Sequence, residues 1–300
     1  MEFLNAQQVN RYREDGYLVL EAHLPQGIID QAHAEIARLS AHAEKLVESD
    51  ELIDVEQSHT PEAPRIRRIK RPDLQSEFFN SLMRSEHILG PARDLLGPNI
   101  RMHTAKLNMK KAEYGAPVQW HQDFAFYPHT NDDVLAIGVV FDDINMENGP
   151  LQVFPGSHKG PILDHHDDGV FTGAVDLATA GLNIDDATSL TGPAGTITIH
   201  HARTLHGSAL NQSQRDRQML FYEMMAADAF PVMGAMTRFE SIEQYDELML
   251  CGEPTKQPRL AEIPVRIPQP QPAMAGSIYE IQAQSGKAGY ATLEETGQKI

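Results

Sequence analysis

From Asn99 onward the sequence alternates with a period of two. Met102, Thr104, Lys106, Asn108 and Lys110 fall on one side, and His103, Ala105, Leu107 and Met109 on the other. That pattern describes an extended strand with two unlike faces. The face rich in hydrogen-bonding groups would meet water in an edge strand, but in a barrel that holds a ligand it points inward. Further strands are expected over 17–20, 134–141, 151–154, 195–200 and 218–225, parted by turns such as Glu147-Asn148-Gly149-Pro150 and Pro155-Gly156-Ser157. Glu147 and His158 are read as turn residues. Short strands with tight turns that follow helices predict a mainly β fold with flanking α-helices, a double-stranded β-helix or jelly-roll barrel of the cupin kind.

The chain before residue 99 is expected to be helical over 7–14, ended by Gly16, and from Pro25 to about residue 46, with Ile28, Ile29, Ala32, Ile36 and Leu39 as an apolar stripe. A helical stretch over 78–96 should break at Gly90-Pro91. The polar, proline-punctuated stretch 48–71, basic at its end, reads as a solvated loop. The acidic, glycine-dotted stretch 164–190 reads as a loop that covers a site. Beyond Gly252, six prolines and few apolar residues suggest an extended arm. The expected organisation is one domain over 1–300, helical to about 98, barrel over about 99–230, arm over about 252–300.

A net charge of −17 speaks against nucleic acid and anionic membranes as partners, since a field of that sign repels phosphates. The longest apolar run, 134–141, is too short to cross a bilayer, and the N-terminus lacks the basic and apolar regions of a signal peptide. The single Cys251 fits a reducing cytoplasm. A small-molecule substrate is the remaining expectation, and any inward-facing basic residue becomes informative.

His121 and Asp123 in Trp120-His121-Gln122-Asp123 are two apart, so on an extended chain both side chains leave the same face. One more imidazole would complete a two-histidine, one-carboxylate set that leaves coordination positions open and suits non-haem Fe(II). His206 is the expected third ligand, because Gly207 lets backbone approach the metal; His200 and His201 compete for the position. Ser208 shares a face with His206, and Arg217 begins an apolar strand. A guanidinium facing a barrel interior needs a partner. A dicarboxylate whose 2-oxo acid end chelates iron supplies one, and that ligand is 2-oxoglutarate. Arg215, in a polar turn, is the alternative cation.

Several stretches together resemble the phytanoyl-CoA dioxygenase family of Fe(II)/2-oxoglutarate oxygenases, which includes ectoine hydroxylases. They are Gln8-Val9-x-x-Tyr12 with Gly16-Tyr17-Leu18-Val19, then Trp120-His121-Gln122-Asp123, then Asn148-Gly149-Pro150-Leu151 with Pro155-Gly156-Ser157-His158, and finally Leu205-His206-Gly207-Ser208 with Arg217. The resemblance implies that His121, Asp123 and His206 hold iron, that Arg217 and Ser208 hold 2-oxoglutarate, and that Asn108 matches an asparagine used toward it. It also implies consumption of O2, hydroxylation of an unactivated C–H bond of a small organic molecule, and release of succinate and CO2. Related halogenases have a small residue where Asp123 stands, so the carboxylate points to hydroxylation. Phe124-Ala125-Phe126-Tyr127 departs from the ectoine substrate motif. Substrate contacts are expected from Thr104 and Lys106, and from Phe126 and Tyr127; an inward Lys106 would suggest an anionic substrate. Two other readings compete: a non-catalytic jelly-roll binding protein with a vestigial site, and a cupin-like metalloenzyme using Zn²⁺ or Mn²⁺ without 2-oxoglutarate.

Overall fold

Two antiparallel sheets pack with their inner faces towards one shared cavity, and a layer of helices covers the outer face of the larger one. The computed structural model describes residues 3–113, 115–233, 239–272, 278–282, 285–286 and 289–290. In chain order the strands are β1 (Tyr17–Leu20), β2 (Ile53–Val55), β3 (Ile66–Lys70), β4 (Ile100–Lys110), β5 (Val118–His121), β6 (Val134–Val140), β7 (Leu151–Val153), β8 (His166–Asp167), β9 (Val170–Phe171), β10 (Thr188–Leu190), β11 (Ile197–His201), β12 (His206–Ser208), β13 (Arg217–Ala226) and β14 (Met249–Cys251). The helices are α1 (Ala6–Asp15), α2 (Gln26–Ser40), α3 (Pro72–Gln75), α4 (Glu77–Met83), α5 (Glu86–Leu96), α6 (Asp123–Phe126), α7 (Ile242–Asp246) and α8 (Ile278–Gln282). The larger sheet runs β1-β11-β6-β13-β4-β3-β2 with β14 also on β4, and the smaller runs β10-β7-β12-β5. This is the jelly-roll architecture expected from the sequence.

The alternation in β4 divides the molecule. Ala105, Leu107 and Met109 join a core that includes Ile36 and Leu39 of α2, Phe79 of α4 and Ile88 of α5. Lys106, Asn108 and Lys110 point the other way, into the cavity. β13 lies beside β4 with Arg217 opposite Lys110, Met219 opposite Asn108, Phe221 opposite Lys106 and Glu223 opposite Thr104. Directly opposed residues share a face, so this register sets four ionisable side chains on the inner wall.

Three local expectations are corrected. The stretch 48–71 is not a solvated loop: β2 and β3 extend the larger sheet, and its basic residues are paired. Arg67 lies 2.9 Å from Glu56, and Arg68 and Lys70 each lie 2.6 Å from Asp54. With β1 paired to β11, the region before residue 99 therefore supplies strands as well as helices. The second correction concerns α5, which runs through Gly90-Pro91 unbroken; the interruption falls between α4 and α5, at Arg84-Ser85. Proline at 91 removes the hydrogen bond that would close on the carbonyl of His87. That carbonyl instead accepts from the His23 ring at 3.1 Å, so the helix tolerates the residue. The third correction concerns the C-terminal arm. After a stretch over 253–272 with little regular structure, α8 returns to pack on β5, and its Ile278 and Tyr279 line the cavity.

The loop over 164–190 contains the β8–β9 hairpin and packs on the strand that carries His121: Val175 N donates to Trp120 O at 2.8 Å. Its residues do not line the cavity. Among the described residues no helix is long and apolar enough to cross a membrane.

Several imidazoles are buried as structural hydrogen-bonding groups. His165 Nε2 accepts from Gln122 N at 2.9 Å and its Nδ1 meets Leu163 O, while His129 Nδ1 meets Tyr127 O at 2.7 Å. Burial pushes both rings down to about 3. The unfolded chain takes up these protons below about pH 6.5 and the folded chain does not until far lower, so stability is present above that pH and lost as pH falls. The metal-free protein should lose about 1.4 kcal/mol per pH unit per histidine between roughly pH 6 and 4. Urea midpoints across that range measure it, and a flat profile would contradict the buried, neutral assignment.

Candidate active site

β5 delivers His121 at its last position, and Gln122 continues the extended path before the chain turns into α6 at Asp123. His206 opens β12, the neighbouring strand, directly opposite His121. The ligand-capable atoms of His121, Asp123 and His206 lie within 4.8 Å of one another, and all three residues are buried. His121 Nε2 is 3.7 Å from Asp123 Oδ1, and His206 Nε2 is 3.9 Å from Asp123 Oδ2. The far ring nitrogens are fixed: His121 Nδ1 meets Gln119 O at 2.8 Å and His206 Nδ1 meets Thr204 O at 2.9 Å. An Nδ1–H held by a carbonyl leaves the Nε2 lone pair facing the carboxylate, which is how metal-ligating histidines are oriented.

The protonation states suit the same role. Burial pushes His121 down to about 4 and His206 well below the ordinary imidazole range, so both rings are neutral near pH 7. Burial works against the Asp123 carboxylate, but the Lys106 ammonium, with a hydrogen bond from His200, overrides it and holds its pKa well below the ordinary value. One carboxylate and two neutral imidazoles, all buried, fit a divalent iron with sites left for other ligands.

His200 and His201 separate cleanly. They are adjacent on β11 and point to opposite faces. His201 Nε2 lies 3.8 Å from Asp132, whereas His200 lines the cavity with Nε2 3.3 Å from Asp123 Oδ2. His200 therefore braces the carboxylate. Gly207 has a different reason from the one expected. A side chain there would press within 3.0 Å of the Tyr290 ring and 3.1 Å of the Val118 carbonyl, so the glycine permits close packing of β12 on β5.

The cavity is lined on one wall by Lys106, Asn108, Lys110, Arg217 and Phe221, and on the other by Val118, Leu151, Gly207 and Ser208. Arg217 is buried, donates to Gly149 O at 2.6 Å, leaves Nε without a partner and makes no ion pair among the described residues. Burial pushes its pKa down to about 10. Lys110 beside it is equally buried, donating to the carbonyls of Ser208 and Ala209, and burial together with Arg217 lowers its pKa well below the ordinary value. Two neighbouring desolvated basic groups, neither in an ion pair among the described residues, form a receptor for an anion. Asn108 also has an unpartnered oxygen, Oδ1. Arg215, the alternative cation, is exposed.

Of the residues expected to meet substrate, Lys106 reaches the cavity, where its ammonium lies 2.6 Å from Glu223. Thr104, Phe126 and Tyr127 do not line it. Thr104 sits opposite Glu223 further along the wall. Phe126 packs edge-on against His121 at 5.7 Å between ring centres. Tyr127 packs on His103 at 4.3 Å, with its hydroxyl towards the Asp123 and Glu223 carboxylates. Lys110, Glu223 and Tyr279 are the neighbours that sequence reasoning missed. Lys110 stood on the correct face of the alternation, but the register that exposes Glu223 and the return of α8 have no local signal.

The Phytanoyl-CoA dioxygenase (PhyH) profile matches residues 12–219. The chain belongs to the phytanoyl-CoA dioxygenase family. As a member it is an Fe(II)- and 2-oxoglutarate-dependent dioxygenase that hydroxylates a small molecule. Among its relatives is a probable alpha-ketoglutarate-dependent hypophosphite dioxygenase of Stutzerimonas stutzeri, 38% identical over 92% of this chain and 96% of that one. An ectoine dioxygenase of Bordetella parapertussis is 29% identical over 73% of this chain and 74% of that one. The fold is shared with EctD from S. alaskensis with bound Fe, at a TM-score of 0.66 and 24% identity over 87% of this chain and 88% of that one.

Alanine in place of His121, Asp123 or His206 should abolish iron binding, read by anaerobic titration. His200→Ala removes only a brace and should weaken iron about 10–100-fold. A loss as complete as that of His206→Ala would make His200 the third ligand.

Proposed function

We propose that the protein hydroxylates a compact anion, with iron held by His121, Asp123 and His206 and 2-oxoglutarate held by Arg217, Ser208 and Asn108. The observation that carries this reading is the cavity itself. It is narrow, lies between the two sheets, and is lined by three basic side chains. Arg217 and Lys110 stand together at one end and suit the far carboxylate of 2-oxoglutarate. Lys106, on the same wall, interacts with Asp123 and supplies a cation at the metal end. The near full-length relative named for hypophosphite, a small monoanion, supports the same class.

Iron, when bound, supplies the activation of O2 against 2-oxoglutarate. The balance is substrate, O2 and 2-oxoglutarate giving hydroxylated substrate, succinate and CO2. For hypophosphite a P–H bond becomes P–OH and the product is phosphite. The chain's own contribution is to orient and to exclude water. Gln119 and Thr204 fix the imidazole tautomers, His200 braces the carboxylate, and Tyr127 with Glu223 holds Lys106 at the wall. A second reading, hydroxylation of a C–H bond in a small organic acid, is favoured by the apolar Phe221, Val118 and Leu151 in the same lining. We place the enzyme in a reducing cytoplasm, on its single cysteine.

Succinate release with hypophosphite, short organic acids, L-proline and ectoine tests the class. Turnover driven by an anion supports the reading, and turnover driven by ectoine alone would refute it. Arg217→Ala should cost roughly 2–5 kcal/mol of 2-oxoglutarate binding, about thirty- to several-thousand-fold, with iron binding retained. Arg217→Lys should recover part of this, and Arg215→Ala should change little. Anaerobic affinities at saturating iron measure all three; unaltered binding in Arg217→Ala would remove the 2-oxoglutarate end from this position.

A further inference from the structure

The ladder between β5 and β12 ends where the metal ligands begin. Its end pair is His121 opposite His206, and Asp123 lies past it at the start of α6. Strand pairing therefore cannot fix Asp123 relative to His206. His121 and Asp123 leave one side of the chain, so Gln122 between them leaves the other. Gln122 is buried and does not line the cavity. A buried amide must find partners for its donors and its carbonyl. Gln122 Nε2 donates to Arg203 O at 2.8 Å and to Pro161 O at 3.2 Å, and Gln122 Oε1 accepts from Leu163 N at 2.8 Å. The backbone N of Gln122 donates to His165 Nε2 at 2.9 Å. His165 can accept there because its Nδ1–H is held by Leu163 O, 2.9 Å away.

These four bonds draw together three stretches that lie far apart in sequence. The first carries His121 and Asp123. The second, 202–205, leads into His206: Ala202 O accepts from Phe124 N at 2.9 Å, Arg203 O accepts from the Gln122 amide, and Thr204 O lies 2.9 Å from His206 Nδ1. The third, 160–165, braces both. Gly160 O accepts from Arg203 Nη2 at 2.6 Å, and the other arm of that guanidinium is anchored by Asp132 at 2.6 Å. Pro161, Leu163 and His165 of the same stretch hold Gln122. The Gln122 amide is where the three meet.

We infer that Gln122 is a positioning residue of the metal centre. Its amide clamps the turn carrying His121 and Asp123 to the turn entering His206, against the segment 160–165, with His165 as a second hold on the same peptide. This rests on the reading of His121, Asp123 and His206 as iron ligands. Neither Gln122 nor His165 lines the cavity, so both act through the backbone that carries the ligands. The amide is specified by its partners. Two of the three are carbonyls, which only a donor can meet, so a glutamate there would set a buried carboxylate against both. Outer hydrogen bonds that orient ligands are worth about 10–100-fold in metal affinity.

The test reads the anaerobic Fe(II) affinity of the full chain, the visible band of its iron–2-oxoglutarate complex, and the urea midpoint of the metal-free protein. Gln122→Met keeps the length of the side chain and removes all three amide bonds. It should weaken iron binding about 10–100-fold and shift the band, and Gln122→Glu should do the same. His165→Phe keeps the packing against Phe126 and Phe171 but cannot accept from Gln122 N, and should weaken iron about tenfold. His165→Gln restores an acceptor and should recover most of that loss. A fall in the urea midpoint alone, with iron affinity and band at wild-type values in Gln122→Met and His165→Phe, would mark the amide as core packing and overturn the clamp. If Gln122→Met does not fold, the two His165 variants decide by themselves, and iron affinities equal to wild type in both would overturn it. Failure of the wild-type protein to bind iron would overturn the ligand reading and the clamp with it.

Discussion

Charge held out of water at the inner wall of the larger sheet is the constraint on which this molecule turns. Lys110, Arg217 and Glu223 are buried where they project from two paired strands towards the cavity, and Lys106 on the same wall is half-buried. Desolvation of such groups is costly unless each finds a partner. Lys106 has Glu223, and Lys110 has two carbonyls. Arg217 has one carbonyl and a free Nε, which leaves the wall with an appetite for an anion. His121 and His206 on the smaller sheet, with Asp123 at the start of α6, sit across from it, so the space between the sheets has a metal-ligating cluster at one end and an unpaired guanidinium at the other. The outer face of the same strands is apolar and packs under the helices. One alternating sequence thus builds the core and the site at once.

Much of this was legible because it rests on short-range pattern. The two-residue period of β4 told which side chains over 104–110 face inward, while a register shift at the Glu223–Met224 bulge puts Met102 in the outer core and His103 against Tyr127, the reverse of the expected sides. The His-x-Asp spacing brought His121 and Asp123 together. What was hidden depends on partners far along the chain. The basic run Arg67, Arg68 and Lys70 looks like solvated loop until Asp54 and Glu56 are seen across the β2–β3 ladder. Pro91 looks like a helix breaker until the His23 ring is found on the carbonyl it frees. Glu223 gives no local sign of its role until the β13–β4 register brings it within reach of Lys106. In each case an apparent local conflict was resolved by a contact that no window of sequence contains.

The cover of the site follows the same rule. The glycine-dotted stretch over 164–190 had the composition of a lid and instead became a packed flank of β5. The proline-rich stretch had the composition of a free arm, yet α8 beyond it brings Ile278 and Tyr279 to the cavity. Amide side chains such as Gln119 and Gln282 give no hydropathy signal, yet they satisfy the backbone of an exposed strand edge as well as a further strand would.

Trp120 gives that arrangement an optical consequence. It is the chain's single tryptophan, fully buried, with Phe154 on one side and Tyr290 stacked on the other. Its indole sits one residue from His121 and carries the ring of Tyr290 from far along the chain. Emission from this lone fluorophore is therefore a built-in reporter of the packing beside the site, readable in the native sequence without any label.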